Sequence, residues 1–423
     1  MPGTWLMTFN YAVSAAITAV VAVASANAAA PLVRTFEAPN VAQNESFGSS
    51  LALDGDHLLI GVPNHDTMMI NMGQAHLFSA ATGQLIHTFN DPTPSSSGSF
   101  GSAVAIDGDR VVIGAFADNT LGMHVGQAHL FSAATGALVH TFNDPTVHAS
   151  DFFGSSVAIE GDRVVIGAKF DDSLGYNVGQ AHLFNADGTL LKTFNDPTPT
   201  SQDYFGGSVA IDGDFIVIGE SGDDTLGNDV GRAHLFSAAT GQLLRTFNDP
   251  TPSGVDFFGQ RVAIDGGRVL VGGHLDSGDG AFVGQAHLFD ALTGALLHTF
   301  HDPTPTAGDQ FGIYVELQGN HALVGAYADD TLGTDVGQVH LFDATTGQLL
   351  ETFNDPTPTD ADRFGYSLAL DGNRVVIGAS EDDTPAINAG QAHLFMIPEP
   401  STAWLALISF AATGRGRHKT RKS

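Results

Sequence analysis

The sequence predicts an all-β protein: a seven-bladed β-propeller of four-stranded antiparallel blades, closed by its N-terminal strand. Three observations carry this expectation. The 423 residues include 50 glycines, 18 prolines and no cysteine, and only 15% are charged, which excludes a helical bundle, a coiled coil and a disulfide-stapled scaffold. One unit recurs seven times at a fixed period. Each unit holds four short strand patterns and no helical one.

The period is read from three marks. Phe-Gly recurs at Phe47, Phe100, Phe153, Phe205, Phe258, Phe311 and Phe364, in steps of 53, 53, 52, 53, 53 and 53 residues. Gly-Gln-Ala-His-Leu-Phe recurs in near-identical form with its histidine at His76, His129, His182, His234, His287, His340 and His393. Thr-Phe ends at Phe36, Phe89, Phe142, Phe194, Phe247, Phe300 and Phe353. Because these phenylalanines recur with the scaffold, they are expected in the core.

Within a unit, Ser102–Ile106 and Arg110–Gly114 flank Asp107-Gly108-Asp109, which reads as two strands joined by a tight Asp-Gly hairpin. Gln127–Ser132 and Ala137–Phe142 flank Ala133-Ala134-Thr135-Gly136, a second hairpin. A lone sheet of this size cannot cover both faces, and stacking seven around an axis solves that while leaving only short edges. Pro31-Leu32-Val33-Arg34-Thr35-Phe36 matches the fourth-strand segment Gln242-Leu243-Leu244-Arg245-Thr246-Phe247, and the seventh unit stops after Phe395 without a fourth strand. The N-terminal segment is therefore expected to pair beside Gln391–Phe395.

The unit F-G-x-S-V-A-I-D-G-D-R-V-V-I-G-A followed by G-Q-A-H-L-F resembles the FG-GAP repeat of integrin α-chain propellers, in a shortened bacterial form, over about Pro31 to Phe395. The resemblance implies a propeller fold and an extracellular binding role, and it implies no chemistry. The acidic D-x-D-x-D-G calcium loop familiar from that family is absent between the first two strands. Asp107-Gly108-Asp109 and Asp212-Gly213-Asp214 stand there instead, too short to wrap a calcium ion.

Both ends read as addresses. Tyr11 to Ala26 is small and apolar and Ala26-Asn27-Ala28 is a small-x-small cleavage pattern, so residues 1–28 are expected to be a signal peptide, although no Lys or Arg precedes the apolar stretch. Residues 31–397 form the propeller. Residues 398–423 open with Pro398-Glu399-Pro400 and continue through an apolar run, Ala403 to Ala412, to Arg415-Gly416-Arg417-His418-Lys419. This order resembles the PEP-CTERM sorting tail of Gram-negative bacteria, which implies reading by an exosortase, export to the cell surface or matrix, and only transient membrane contact through the tail. The run is shorter than the roughly 20 residues of a stable span.

Pro31 to Pro398 carries 11 basic and 45 acidic residues, a surface that repels phosphate backbones and makes nucleic acid a poor partner. The 2-to-3 and 4-to-1 connections share one face, which collects Asp171-Asp172, Asp223-Asp224, Asp329-Asp330 and Asp382-Asp383, the Asn-Asp-Pro acids Asp91, Asp144, Asp196, Asp249 and Asp355, and Asp151, Asp203, Asp256, Asp309 and Asp362 before each Phe-Gly. Ca²⁺ is the expected guest, at Asp223, Asp224 and Asp229 and at Asp329, Asp330 and Asp335. The competing reading is that these acids only shape turns. The seven repeat histidines read as packing between blades rather than as a metal ring. Residues that break the symmetry are His65, Lys169, Tyr176, Glu220 and His274, and no nucleophile triad, P-loop, HExxH or Cys/His metal spacing accompanies them. The favoured function is a non-catalytic secreted or surface propeller binding an extracellular polysaccharide or protein through the acidic loop face. The alternative is an extracellular glycan hydrolase or lyase on the same scaffold.

Processing is directly measurable. Protein recovered from its native cell is expected to lack everything beyond the neighbourhood of Pro400, and intact mass that still includes Arg415 to Ser423 would make the sorting reading wrong.

Overall fold

A computed structural model describes residues 30–66, 71–384 and 386–398. The expected signal peptide and all of the tail beyond Pro398, including Glu399 and Pro400, lie outside the described residues.

The described residues form seven four-stranded antiparallel sheets and no helix. In six sheets the strands lie in sequence order, as in Phe153–Glu160, Arg163–Ala168, Gln180–Asn185 and Leu190–Asn195. The seventh takes its outer strand from the other end of the chain: Leu32–Phe36 pairs antiparallel with Gln391–Met396, with Phe36 opposite Ala392 and Leu32 opposite Phe395. The expected closure is thus observed. Thr35 of that strand also makes the side-chain bond to His393, at 3.0 Å, that Thr141 makes to His129 inside its own blade.

The first strands pack against one another around the axis and line its channel, while the second and third strands are the most buried. All 21 phenylalanines of the three marks are buried, between 0% and 5% exposed, each contributing about 1.5–3 kcal/mol. They meet in threes between blades. Phe100 stands edge-on to Phe131 at 6.1 Å, and Phe89 of the preceding blade lies 5.0 Å from Phe131. At the closure, Phe36 reaches Phe78 of the first blade at 5.4 Å.

Backbone polar groups are satisfied across the same seams. The Phe-Gly amide of each blade donates to a carbonyl of the blade before it, as Phe153 N–H does to Val125 at 2.8 Å and Phe47 N–H to Ala389 at 2.9 Å. On the hairpin face, the residue that ends each first strand, an acid in six blades and Gln318 in the other, accepts the turn-glycine amide of the next blade: Asp54 from Gly108 at 2.7 Å, Asp212 from Gly266 at 2.9 Å, Asp371 from Gly55 at 3.0 Å, Gln318 from Gly372 at 2.6 Å. The second acid of the Asp-Gly-Asp turn holds the other hairpin, as Asp214 does by accepting from Ala239 N–H at 2.7 Å. The carboxylates where the related calcium loop would stand are therefore engaged by backbone amides.

Two glycines separate close approach from turn conformation. A Cβ on Gly272, in the second strand, would overlap the carbonyl oxygen of Gly312 in the next blade. Gly266, at the hairpin turn with φ +57, has nothing within 4 Å of its would-be Cβ. Gly266→Ala is expected to cost about 1 kcal/mol of backbone strain and Gly272→Ala at least about 3 kcal/mol through a displaced blade, read by urea denaturation of the two variants.

Candidate functional site

The loop face is built by the 2-to-3 and 4-to-1 connections, and its acids divide into two groups. The Asn-Asp-Pro acids turn inward. Asp91, Asp144, Asp196, Asp249 and Asp355 are 4–7% exposed, and each accepts the amide of the threonine two residues on, as Asp249 does from Thr251 at 2.7 Å. Asp302 of His301-Asp302-Pro303 holds the same place, although its sequence hides it. Burial raises Asp91, Asp144, Asp196 and Asp302 to about 6 and Asp249 and Asp355 to about 7. Opposite them, the first acid of each 2-to-3 loop (Asp118, Asp171, Asp223, Asp276, Asp329 or Asp382) is at most 1% exposed. Asp118 and Asp276 lack the paired-acid signature and become visible only when the repeats are superimposed.

The six residues expected to hold Ca²⁺ are split by this division. Asp223 and Asp329 face inward, Asp223 within 4.8 Å of Asp203 and Glu220. Asp224 and Asp330 stay exposed and cap the turn by accepting the amides of Asp229 and Asp335, both at 2.8 Å. Asp151, Asp203, Asp256, Asp309 and Asp362 are fully buried and hold the approach to the next blade, as Asp256 does by accepting Ser253 N–H at 2.7 Å.

The repeat histidines lie on the third strands, as read from sequence, and are 0–3% exposed. Each shares a hydrogen bond between Nδ1 and a fourth-strand threonine at 3.0–3.1 Å. Burial lowers all seven to about 4, so they are neutral at pH 7.

Two of the symmetry-breaking residues, Lys169 and His274, join residues from other blades around the mouth of the axial channel on the loop face. Phe116, Phe152, Phe170 and Tyr204 form a chain of ring contacts at 5.0, 4.9 and 5.4 Å. Lys169 lies over Phe170 at 4.9 Å, and burial, with Arg261 nearby, lowers its pKa. His274 stacks on Phe257 at 5.7 Å. Across the mouth, Tyr314, Tyr366 and Tyr327 pack at 5.4 and 5.9 Å, and the charge of Tyr314 together with burial raises Tyr366. Arg261 lies over Tyr314 at 4.4 Å and donates to its hydroxyl at 2.9 Å. Arg363 covers Tyr327 at 5.6 Å and pairs with Glu381 at 3.0 Å. Among the described residues Lys169 and Arg261 have no ion-pair partner.

This collar surrounds a chamber of about 170 Å³ lined by Ser50, Ser102, Ser155, Ser208, Arg261 and Tyr314 among others. A second cavity of about 260 Å³ follows along the axis. Its wall is alanine in six blades (Ala52, Ala105, Ala158, Ala210, Ala263 and Ala369) and Glu316 in the remaining one. Sequence reading passed over Arg261, Tyr314, Glu316, Tyr327, Arg363 and Tyr366. A column-by-column superposition of the seven repeats carries the signal for each.

The remaining symmetry breakers fall elsewhere. His65 stands where other blades have the inward loop acid and pairs with Glu45 at 2.5 Å. Tyr176 is 61% exposed. Glu220 is fully buried, 2.5 Å from His234 Nε2, and burial raises it to about 8.

FG-GAP repeat sequences match residues 32–78, 94–131, 144–184, 198–236, 303–342 and 357–395. The chain belongs to the FG-GAP repeat family. The FG-GAP matches pass over residues 237–302, which hold most of the blade containing Arg261 and His274. No curated protein matches the chain.

Glu316 gives a pH test of the channel. Burial raises it from 4.5 to about 7, so the folded state holds its proton more tightly than the unfolded one. That stabilisation is complete below about pH 4.5 and is lost as pH rises through 7. Glu316→Gln is expected to raise stability by about 1–3 kcal/mol at pH 8 and to leave it unchanged at pH 4.5, measured by chemical denaturation at both values.

Proposed function

We propose that this FG-GAP protein is an exported, non-catalytic propeller that binds an extracellular polysaccharide or protein through the loop face surrounding its axial channel. The observation that carries the reading is the collar of half-buried aromatic rings interleaved with Lys169, Arg261 and Arg363. Aromatic faces present apolar area at low entropic cost to the CH surface of a sugar ring or to a partner's side chains. The neighbouring cations supply charge-assisted donors for carboxylate or sulfate groups in an otherwise anionic body. Symmetric blades build the platform, and the collar is where the symmetry ends, as ligand specificity requires. FG-GAP repeats are typical of extracellular proteins, in agreement with the address-like ends of the chain.

Purified full-length protein on an array of neutral and acidic glycans, with products monitored on every hit, tests this reading. Acidic glycans are expected to bind without turnover, and Tyr366→Ala and Arg261→Gln are each expected to weaken binding at least tenfold. Product formation would favour the hydrolase or lyase alternative. Binding indifferent to both substitutions would move the site off the collar.

A further inference from the structure

Between consecutive blades, beneath the loop face, the fold repeats a pocket of buried donor atoms, some of which neither the turn chemistry nor the proposed collar uses. In blade five Asp249, Asp276 and His287 each turn one ligand atom into it, and in blade seven Asp355, Asp382 and His393 do the same. Within each set these atoms lie within 4.8 Å of one another, and all six residues are buried. The histidines are fully buried, with Nδ1 committed to Thr299 and Thr35. Their Nε2 atoms, and Oδ2 of Asp249 and Asp355, have no hydrogen-bond partner in the protein. Thr251 Oγ1 and Gln285 Oε1 bring two more oxygens to the blade-five pocket: Thr251 lies 3.2 Å from Asp276 Oδ2 and 3.4 Å from Gln285 Oε1. Buried polar atoms without partners are rare because each forfeits its hydration.

Blade four shows what this pocket accommodates. Arg232 stands there in the column that is glutamine in the other six blades. Its Nη2 lies 2.6 Å from Asp223, the counterpart of Asp276, 2.5 Å from Thr198, the counterpart of Thr251, and 3.5 Å from Glu220. Glu220 replaces a small or aliphatic residue and takes His234 Nε2 at 2.5 Å. Where the chain supplies its own cation, the inward acid, the threonine and the histidine all find partners. In blades two, three, five, six and seven, which supply glutamine, the histidine Nε2 remains unpartnered, whereas Oδ2 of the 4-to-1 aspartate is unpartnered in those blades and, as Asp196, in blade four as well.

We propose that the pockets of blades five and seven each bind a divalent first-row metal ion through the histidine Nε2 and the two aspartates, with the threonine hydroxyl and glutamine carbonyl close by. An ion with bonds of about 2.0–2.2 Å would sit among donors about 3–4.4 Å apart, a small contraction of the observed set. An imidazole beside two carboxylates suits Zn²⁺ or Mn²⁺ better than Ca²⁺, which takes 6–8 oxygens. The ion would join one blade's fourth-strand exit to the next blade's second and third strands, and binding only to the folded ring would raise its unfolding temperature.

The test is calorimetric titration of EDTA-treated, dialysed full-length protein with ZnCl₂, MnCl₂ and CaCl₂ separately, alongside thermal unfolding. Saturable uptake of Zn²⁺ or Mn²⁺ is expected, with a loss of two equivalents in the double variant His287→Gln, His393→Gln. Transplanting blade four's solution into blade seven, Ala379→Glu with Gln391→Arg, is expected to remove one equivalent while keeping the fold, since the chain already contains that arrangement. The reverse exchange in blade four, Glu220→Ala with Arg232→Gln, is expected to add one. No saturable uptake by about 1 mM, uptake whose stoichiometry ignores the transplants, or Ca²⁺ uptake unaffected by removing the histidines would overturn the proposal.

Discussion

The close approach of neighbouring blades at glycine governs this molecule. The second-strand glycines, Gly61, Gly114, Gly167, Gly219, Gly272, Gly325 and Gly378, lie against the backbone of the Phe-Gly glycine one blade on, with no room for a Cβ. That contact sets the rotation from blade to blade, and seven equal steps bring the chain back to its start. The inter-blade phenylalanine clusters, the amide-to-carbonyl bonds at each Phe-Gly and the ring of side-chain bonds to turn glycines on the hairpin face all follow once the spacing is set. Packing at this density tolerates little local error, and an error at one seam would propagate around the ring.

The charge of −30 overstates the acidity of the loop face. Many of its carboxylates point inward and accept backbone amides, so they organise turns and seams before they present any charge to a ligand. Their burial has an electrostatic cost. It raises the Asn-Asp-Pro acids toward neutrality and depresses the histidines beside them, because burial disfavours the charged form of each. In blade four the chain places Arg232 beside Asp223, where the other blades carry glutamine.

Symmetry also explains where specificity can reside. A residue repeated seven times serves the scaffold, because a ring of identical positions cannot favour one orientation of a ligand. Lys169, Arg261, Glu316, Tyr327, Arg363 and Tyr366 depart from their columns, and their contacts gather at the channel mouth. The serine and alanine columns between them keep the first strands narrow enough to leave a channel there.

The sequence by itself determined the all-β class, the seven units, the four strands of each unit, with ends shifted by a residue or two as at Phe100–Asp107, and the closure by Leu32–Phe36. All of these rest on local periodicity or on repetition, which a linear reading detects. Only the tertiary structure decided which acids are structural. Asp223 and Asp224 are neighbours in the chain, yet one is buried in a seam beside Arg232 and the other is exposed at a turn. It likewise decided that Asp249, Asp276 and His287 share a pocket. These residues sit in different elements of two adjoining blades, and their meeting depends on the angle between sheets, a quantity that no spacing along the chain encodes.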